Sequence, residues 1–225
     1  MSRKAMMTGI RATLLATVPL LLLLSNLYVV ATAAFIRHEY GKSGFPSSEV
    51  YDSSERLPLA LATLRYVRFG EGTGQLTALS SQGRAVYNER EVQHLVDVRR
   101  VIRGAFLLHG ACVLLASLAI ALAWRARERS ALLQSIYHGC QILLVALASI
   151  GLLAYTSFDV FFTAFHRVFF SGDSWLFAYT DTLIQLFPVP FWMDATWALA
   201  LLAVAESLLV GGLTYAALRR TGFRQ

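Results

Sequence analysis

Long uncharged stretches interrupt an otherwise mixed pattern of hydrophobic and polar residues along the chain. Four of them reach the roughly 20 residues that a helix needs to cross the hydrocarbon core of a bilayer. Backbone polar groups in lipid must be satisfied within their own segment, so each stretch predicts a transmembrane helix. The predicted helices lie at about 12–36, 104–124, 130–158 and 195–218.

Two long connections join these helices, at 37–103 and 159–194. In the first, leucines at helical spacing follow a Ser-Ser start signal at 53–54 and predict a surface helix. Asn88 and Glu91 have the spacing of a capping box, which predicts that a new helix begins there and continues into the second span. The remainder of this connection is expected to be partly irregular.

Composition supports a membrane protein. Of the 225 residues, 56% are hydrophobic and only 15% are charged, whereas soluble domains carry about 25% charged residues. We therefore predict an all-α integral membrane fold, forming one domain over 1–225. The net charge of +6 is attributed to residues that set membrane orientation, so we expect no nucleic-acid partner.

Basic residues cluster at three places that four crossings put on one side of the membrane. They are Arg3, Lys4 and Arg11 before the first helix, Arg125, Arg127 and Arg129 between the second and third, and Arg219, Arg220 and Arg224 after the fourth. The positive-inside rule then predicts that both termini are cytoplasmic and that both long connections are extracytoplasmic. A competing interpretation is a signal peptide cleaved near "ATAAF" (31–35), but the preceding apolar stretch is longer than a typical signal sequence.

Two of the five histidines, His94 and His166, lie in the connections predicted to face outward. Glu91 and Asp97 are one helical turn to either side of His94, close enough to contact its ring. A carboxylate on one ring nitrogen fixes the tautomer and makes the other nitrogen more basic. The alternative is a solvated helix face whose carboxylates pair with arginines.

His166 lies within "TAFHRVFFSGDSWLF" (163–177), an aromatic segment after the third helix. Its aromatic side chains either form an interfacial belt or cradle acyl chains beside His166, and Asp181 downstream is a candidate supporting carboxylate. The candidate lipid-binding residues are Phe165, Phe169, Phe170 and Trp175.

Other chemistries have weaker signals. His94, His166, Glu91 and Asp97 form a possible metal-ligand set, but the tight local spacing of metal motifs is missing. The two cysteines lie inside uncharged runs and are expected to pack as apolar residues, and no nucleophilic serine motif is present. Glu206, inside the fourth span, is expected to be a neutral, hydrogen-bonded acid.

Three motifs together resemble a known family. "NEREVQHLVDVRRV" (88–101), "FHRVFFSGDSWLF" (165–177) and "TDTLIQLFP" (180–188) are similar in order and spacing to those of small four-helix bacterial membrane proteins. Some members of that family are lipoprotein intramolecular transacylases. The resemblance covers roughly residues 10–218.

The resemblance implies an acyltransferase that needs no cofactor and no metal. Its substrate is a diacylglyceryl lipoprotein, and membrane lipid surrounds the site. One acyl chain moves from the glyceryl group to the α-amine of the N-terminal cysteine, which gives a lyso-form lipoprotein. The two essential histidines of the family match His94 and His166.

Our working hypothesis makes His94 the base, oriented by Glu91 or Asp97, and His166 the group that polarises the ester, with exchanged roles equally allowed. The competing interpretations are a non-enzymatic membrane protein that binds lipid or a partner through its aromatic outer face, and an outward-facing metal-binding protein.

Overall fold

The computed structural model describes residues 2–222; Arg224, used above for orientation, lies outside them. Within these described residues, four helical segments are long and apolar enough to cross a membrane: Arg3–Val30, Glu89–Arg125, Arg129–Thr156 and Val189–Arg220. The predicted all-α integral membrane fold with four spans is confirmed. The chain divides into two compact units, one of Met1–Leu27, Phe106–Tyr155 and Leu199–Gln225, the other of Tyr28–Ala105 and Thr156–Ala198. The single-domain interpretation stays a prediction.

The elements follow in order along the chain. They are α1 (Arg3–Leu24), α2 (Leu27–Val30), α3 (Ala33–Tyr40), α4 (Ser53–Phe69), α5 (Gly74–Thr77), β1 (Ser80–Ser81), β2 (Arg84–Ala85), α6 (Glu89–Arg125), α7 (Arg129–Thr156), α8 (Phe158–Phe169), α9 (Thr182–Leu186) and α10 (Val189–Gly222). The surface helix predicted after the Ser-Ser signal is α4. β1 and β2 form a two-stranded antiparallel ladder.

The first span differs from its predicted bounds of 12–36. It begins at Arg3, breaks between α1 and α2, and ends at Val30. At the break, the side chains of Ser25 and Asn26 both donate to the Leu22 carbonyl, at 3.0 and 2.8 Å. Side chains that bond nearby backbone groups compete with helical hydrogen bonding, which accounts for the interruption.

The first unit packs the spans through small residues, as expected where lipid supplies no hydrophobic contrast. A Cβ at Gly139 of α7 would stand 2.8 Å from that of Val18 on α1, so the two helices approach closely there. Glu206 accepts hydrogen bonds from Ser25 and Asn26, at 3.0 and 3.3 Å. The hydrogen-bonded environment predicted for Glu206 is confirmed. Both cysteines are free and buried.

The second unit has its own hydrophobic core, and this core carries the candidate site. It gathers α4, the first turns of α6, α9 and the start of α10, with Tyr66 and Leu186 among its most buried side chains. α4 packs against α3 and α9. The connections between the spans therefore form a structured unit, on which both candidate histidines lie.

Candidate active site

The two histidines singled out by the sequence meet in the structure. His94 lies in the second turn of α6 and His166 near the end of α8. Their ring centroids are 6.3 Å apart, with an angle of 18° between the ring planes. Each residue is only 8% exposed. Two imidazoles separated by 72 residues of sequence thus face one shared, largely dry space.

A capping box positions His94. Asn88 Oδ1 accepts from the Glu91 amide at 3.0 Å, and Glu91 Oε2 accepts from the Asn88 amide at 2.9 Å. This is the reciprocal arrangement that the spacing predicted, and it fixes where α6 begins. The other oxygen of Glu91 accepts from the amide of Leu183 at 2.8 Å, which ties α9 to α6.

The carboxylates have different partners from those that the sequence suggested. Glu91 is only 2% exposed, and its two oxygens bind backbone amides. Asp97 pairs with Arg100 at 2.7 Å, and Asp181 pairs with Arg90 at 3.0 Å. In the described part of the chain neither carboxylate is seen to hydrogen bond to His94, and their support of His94 stays a prediction.

Asp181 bonds to neighbouring segments of the chain and, among the described contacts, to neither imidazole. Its Oδ2 accepts from the Ala178 amide at 2.7 Å, and its Oδ1 accepts from Asn88 Nδ2 at 3.3 Å. It also immediately precedes α9. Asp181 therefore joins the aromatic segment to the start of α6, so its support of the site is through the backbone.

The tautomer of His166 is set by the backbone. Its Nδ1 lies 2.7 Å from the carbonyl oxygen of Phe162. Because a carbonyl only accepts, Nδ1 carries the proton and Nε2 of the neutral ring is left with a lone pair. Burial lowers the pKa of His166 below its ordinary value, and the bond to Phe162 partly opposes that effect. His166 is thus a neutral proton acceptor at physiological pH.

His94 has no such constraint. In the described part of the chain, its buried Nδ1 has no hydrogen-bond partner. Nothing there fixes its tautomer, so the ring can present either an N–H or a lone pair to a bound group. An unpaired buried polar atom costs about 1–3 kcal/mol, and a substrate that hydrogen bonds to it would recover part of that cost.

Aromatic rings enclose both imidazoles. Phe162 and Trp175 lie 4.0 and 4.8 Å from the His166 ring, centroid to centroid. Phe170 contacts both histidines, at 4.8 Å from His94 and 5.4 Å from His166. Phe177 lies 5.2 Å from His94. These rings shield both imidazoles from most contact with solvent.

Most of the predicted aromatic residues lie at this site. Phe165, Phe170 and Trp175 contact His166, while Phe169 packs against Phe165 in a tilted arrangement with ring centroids 4.8 Å apart. Phe162 and Phe177 were missed. Phe162 stands one helical turn before His166, a spacing that could have revealed it, whereas the contact of Phe177 with His94 depends on tertiary structure.

A tight turn holds Trp175 on His166. Gly172 has φ +61°, a left-handed conformation that favours glycine. Its carbonyl accepts from the Trp175 indole at 3.1 Å. The turn after α8 therefore fixes one wall of the site.

The four candidate metal ligands do not form a cluster. Within residues 2–222, no three His, Cys, Asp or Glu side chains are grouped closely enough to hold an ion. The arrangement offers acid–base chemistry: one neutral imidazole with a defined lone pair, and a second with an uncommitted ring nitrogen.

Fold and site together define a polytopic membrane protein with a buried, aromatic-lined histidine pair. Residues 12–192 match the model of a family described as lipoprotein intramolecular transacylase Lit. The chain belongs to this family and is an acyltransferase, as the motifs implied.

Individual proteins are also similar to this chain in sequence or in fold. An uncharacterised protein of Aquifex aeolicus (strain VF5) is 32% identical over 178 residues, which is 78% of this chain and 79% of that protein. The in meso structure of the membrane integral lipoprotein intramolecular transacylase Lit from Bacillus cereus superposes with a TM-score of 0.75 at 16% identity, covering 99% of this chain and all of that one. A variant of the same protein with a histidine-to-alanine mutation gives 0.67 at 16% identity, covering 98% and 97%.

Proposed function

We propose that this protein moves an acyl chain within a diacylglyceryl lipoprotein, from the glyceryl ester to the α-amine of the N-terminal cysteine. The product is a lyso-form lipoprotein carrying one ester-linked and one amide-linked chain. The observation that carries the proposal is the buried pair His94 and His166, in which the bond from Nδ1 of His166 to a backbone carbonyl leaves a free lone pair on its Nε2. Family membership supplies the acyl-transfer class.

The structure favours the exchanged assignment of roles. The substrate amine attacks the ester carbonyl, and His166 Nε2 accepts the amine proton. An N–H of His94 donates to the carbonyl oxygen as negative charge develops there. The C–O bond then breaks, and His166 returns the proton to the glyceryl oxygen. One N–C bond forms, one C–O bond breaks, and no proton is gained or lost.

No protein nucleophile is required, because the attacking group belongs to the substrate. The gain in rate comes from holding amine and ester together in one molecule and in one orientation. The aromatic side chains that surround the histidines, among them Phe165, Phe169, Phe170 and Trp175, are suited to hold the acyl chains. Exclusion of water also protects the ester from hydrolysis.

For orientation we propose cytoplasmic termini and a site on the extracytoplasmic side of the plasma membrane. The basic residues in the first turns of α1, at the junction of α6 and α7 and at the end of α10 support this arrangement through the positive-inside rule. Lipid-modified N-termini would reach the site from the outer leaflet.

The test is expression in a bacterium that lacks other N-acylating enzymes, followed by mass spectrometry of lipoprotein N-termini. We expect lyso-form lipoprotein with the unaltered chain, and none with His94→Gln or His166→Gln. His138→Gln is the matched control, since that histidine lies on α7 and bonds Gln141. Diacyl lipoprotein alone in the unaltered strain, or full activity of either site variant, would overturn the proposal.

A further inference from the structure

A small cavity lies next to the histidine pair, between α6 and the turn that follows α8. Its volume is about 230 Å³. Four of its seven lining residues are polar, and they are Asp97, Arg100, Ser171 and Ser174. Phe170, which contacts both imidazoles, forms part of its apolar wall. The cavity is therefore adjacent to the proposed reacting groups, and it combines four polar side chains with Phe169 and Phe170, two of the residues suited to acyl chains.

The size of the cavity excludes a complete acyl chain. Small-molecule pockets have volumes of about 300–1,000 Å³, so this one receives only a part of a larger substrate. The acyl chains of the substrate would pack against the aromatic residues around His166. The cavity is therefore suited to a polar part of the same substrate.

The charges of the lining have a particular arrangement. Asp97 and Arg100 form an ion pair at 2.7 Å, with the arginine side chain 74% exposed. An exposed pair of this kind contributes little to stability, so a ligand can exchange for either partner. Ser174 Oγ makes only a long contact of 3.4 Å to the Ser171 carbonyl. The cavity thus offers one anion, one cation and hydroxyl donors.

This set matches the amino-terminal end of a polypeptide. An α-ammonium needs an anion such as Asp97, and peptide carbonyls accept from guanidinium and hydroxyl groups. A phosphate headgroup fits less well, since it would face the Asp97 carboxylate as well as Arg100. Asp97 is one helical turn beyond His94 on α6, so an ammonium bound there is held near the imidazoles.

We propose that the cavity binds the N-terminal backbone of the lipoprotein: Asp97 takes the α-ammonium, while Arg100, Ser171 and Ser174 take the first peptide carbonyls. The inference rests on the proposed function for the identity of the substrate. It makes these four side chains positioning residues for the amine. The bound ammonium must release one proton to solvent before the neutral amine can attack the ester. After acyl transfer the amide carries no charge and loses its attraction to Asp97, which then pairs again with Arg100, so product release is favoured.

The test measures binding, so that it does not depend on turnover. The probe is a dialkylglyceryl lipopeptide whose chains are ether-linked, which cannot transfer an acyl group. Two relatives are compared with it: the same lipopeptide with an acetylated α-amine, and a dialkylglyceryl cysteamine that has the ammonium and no peptide carbonyl. Dissociation constants are measured with the full-length protein in nanodiscs.

We expect the free-amine lipopeptide to bind about tenfold more tightly than the acetylated form, the effect of one charge-assisted hydrogen bond. Asp97→Asn removes that preference. Arg100→Gln weakens the lipopeptide about tenfold and leaves the cysteamine unchanged, a difference that mere loss of the ion pair would not produce. Arg103→Gln, an exposed arginine of α6 outside the cavity lining, is the control and binds all three as the unaltered protein does.

Equal affinity for free and acetylated amines overturns the inference, and so does an equal effect of Arg100→Gln on lipopeptide and cysteamine. Loss of anionic phospholipid binding in Arg100→Gln, with lipopeptide binding intact, would assign the cavity to a phosphate headgroup instead. Acyl transfer by the unaltered protein is measured separately with an ester-linked lipopeptide. A failure of the proposed function is thereby distinguished from a failure of the cavity assignment.

Discussion

Replacing Glu91 by glutamine separates two roles for this carboxylate. In the structure it is an anchor for the backbone: Oε2 accepts from Asn88 and Oε1 from Leu183. The alternative role is orientation of His94, which its sequence spacing suggested. A glutamine has nearly the same shape but only one accepting oxygen, so one of the two amides must face an NH₂ group.

The size of the effect follows from these contacts. An amide left buried without an acceptor costs about 1–3 kcal/mol, and Glu91 is only 2% exposed. Taking about 2 kcal/mol, and about 2–4 °C per kcal/mol for a chain of this length, the melting temperature should fall by about 4–8 °C. The connection between α6 and α9 should loosen first, because one of the two bonds joins them.

The assay is thermal unfolding in detergent, run together with acyl transfer well below the melting temperature. We expect Glu91→Gln to melt earlier while retaining much of its activity. Glu89→Gln, an exposed neighbour in the same first turn, should melt as the unaltered protein does. An unchanged melting temperature combined with complete loss of activity would refute this reasoning and restore the direct role at His94.

Three further outcomes are expected. Burial lowers the pKa of His166, so its midpoint of protonation lies below the usual histidine value of about 6.5. Protonation of His166 should therefore depress kcat/KM only below that pH. An acidic limb of the pH–rate profile that is centred above pH 7 and is removed by changing His166 would contradict its assignment as a buried neutral base. Gly172→Ala forces an alanine to φ +61°, which costs about 1–2 kcal/mol and should lower the melting temperature. Gly44→Ala, with open space around the glycine, is the neutral comparison, and equal melting of the two variants would contradict this expectation. Gly139→Ala brings a methyl to within 2.8 Å of Val18 on α1 and should destabilise the first unit by about 1–3 kcal/mol. Gly110→Ala, which has open space around it, should have no such effect. Equal melting temperatures of the two variants would show that the helices do not approach closely at Gly139.

Local sequence signals located several elements correctly. The capping box at Asn88 and Glu91 was readable because both partners lie within one helical turn, where spacing determines contact. The four spans were readable because any helix in lipid must be long and apolar. Their ends were less accurate: α6 begins at Glu89, well before the uncharged part of the span.

Interactions with distant residues were not readable in the same way. The break at Ser25 and Asn26 lies inside a long uncharged run, and the side chains that cause it also bond Glu206, some 180 residues away. Glu91 is the other example. Its spacing relative to His94 was correct, but the amide of Leu183 competes for its oxygen, and that amide is 92 residues away.

The sequence by itself determined the class of protein, the number of spans and the identity of the two histidines. Hydrophobicity, charge and local spacing carry that information, because each acts within one segment of the chain. Tertiary structure decided that the imidazoles meet, which aromatic rings enclose them, and that the carboxylates near His94 hold backbone and arginine instead. The aromatic segment "TAFHRVFFSGDSWLF" shows the division: its composition predicted a segment suited to lipid, but only packing against α6 placed His166 and Phe170 beside His94. Hydrogen bonds and ring contacts depend on distances of a few ångströms between segments far apart in sequence, and those distances exist only once the chain has folded.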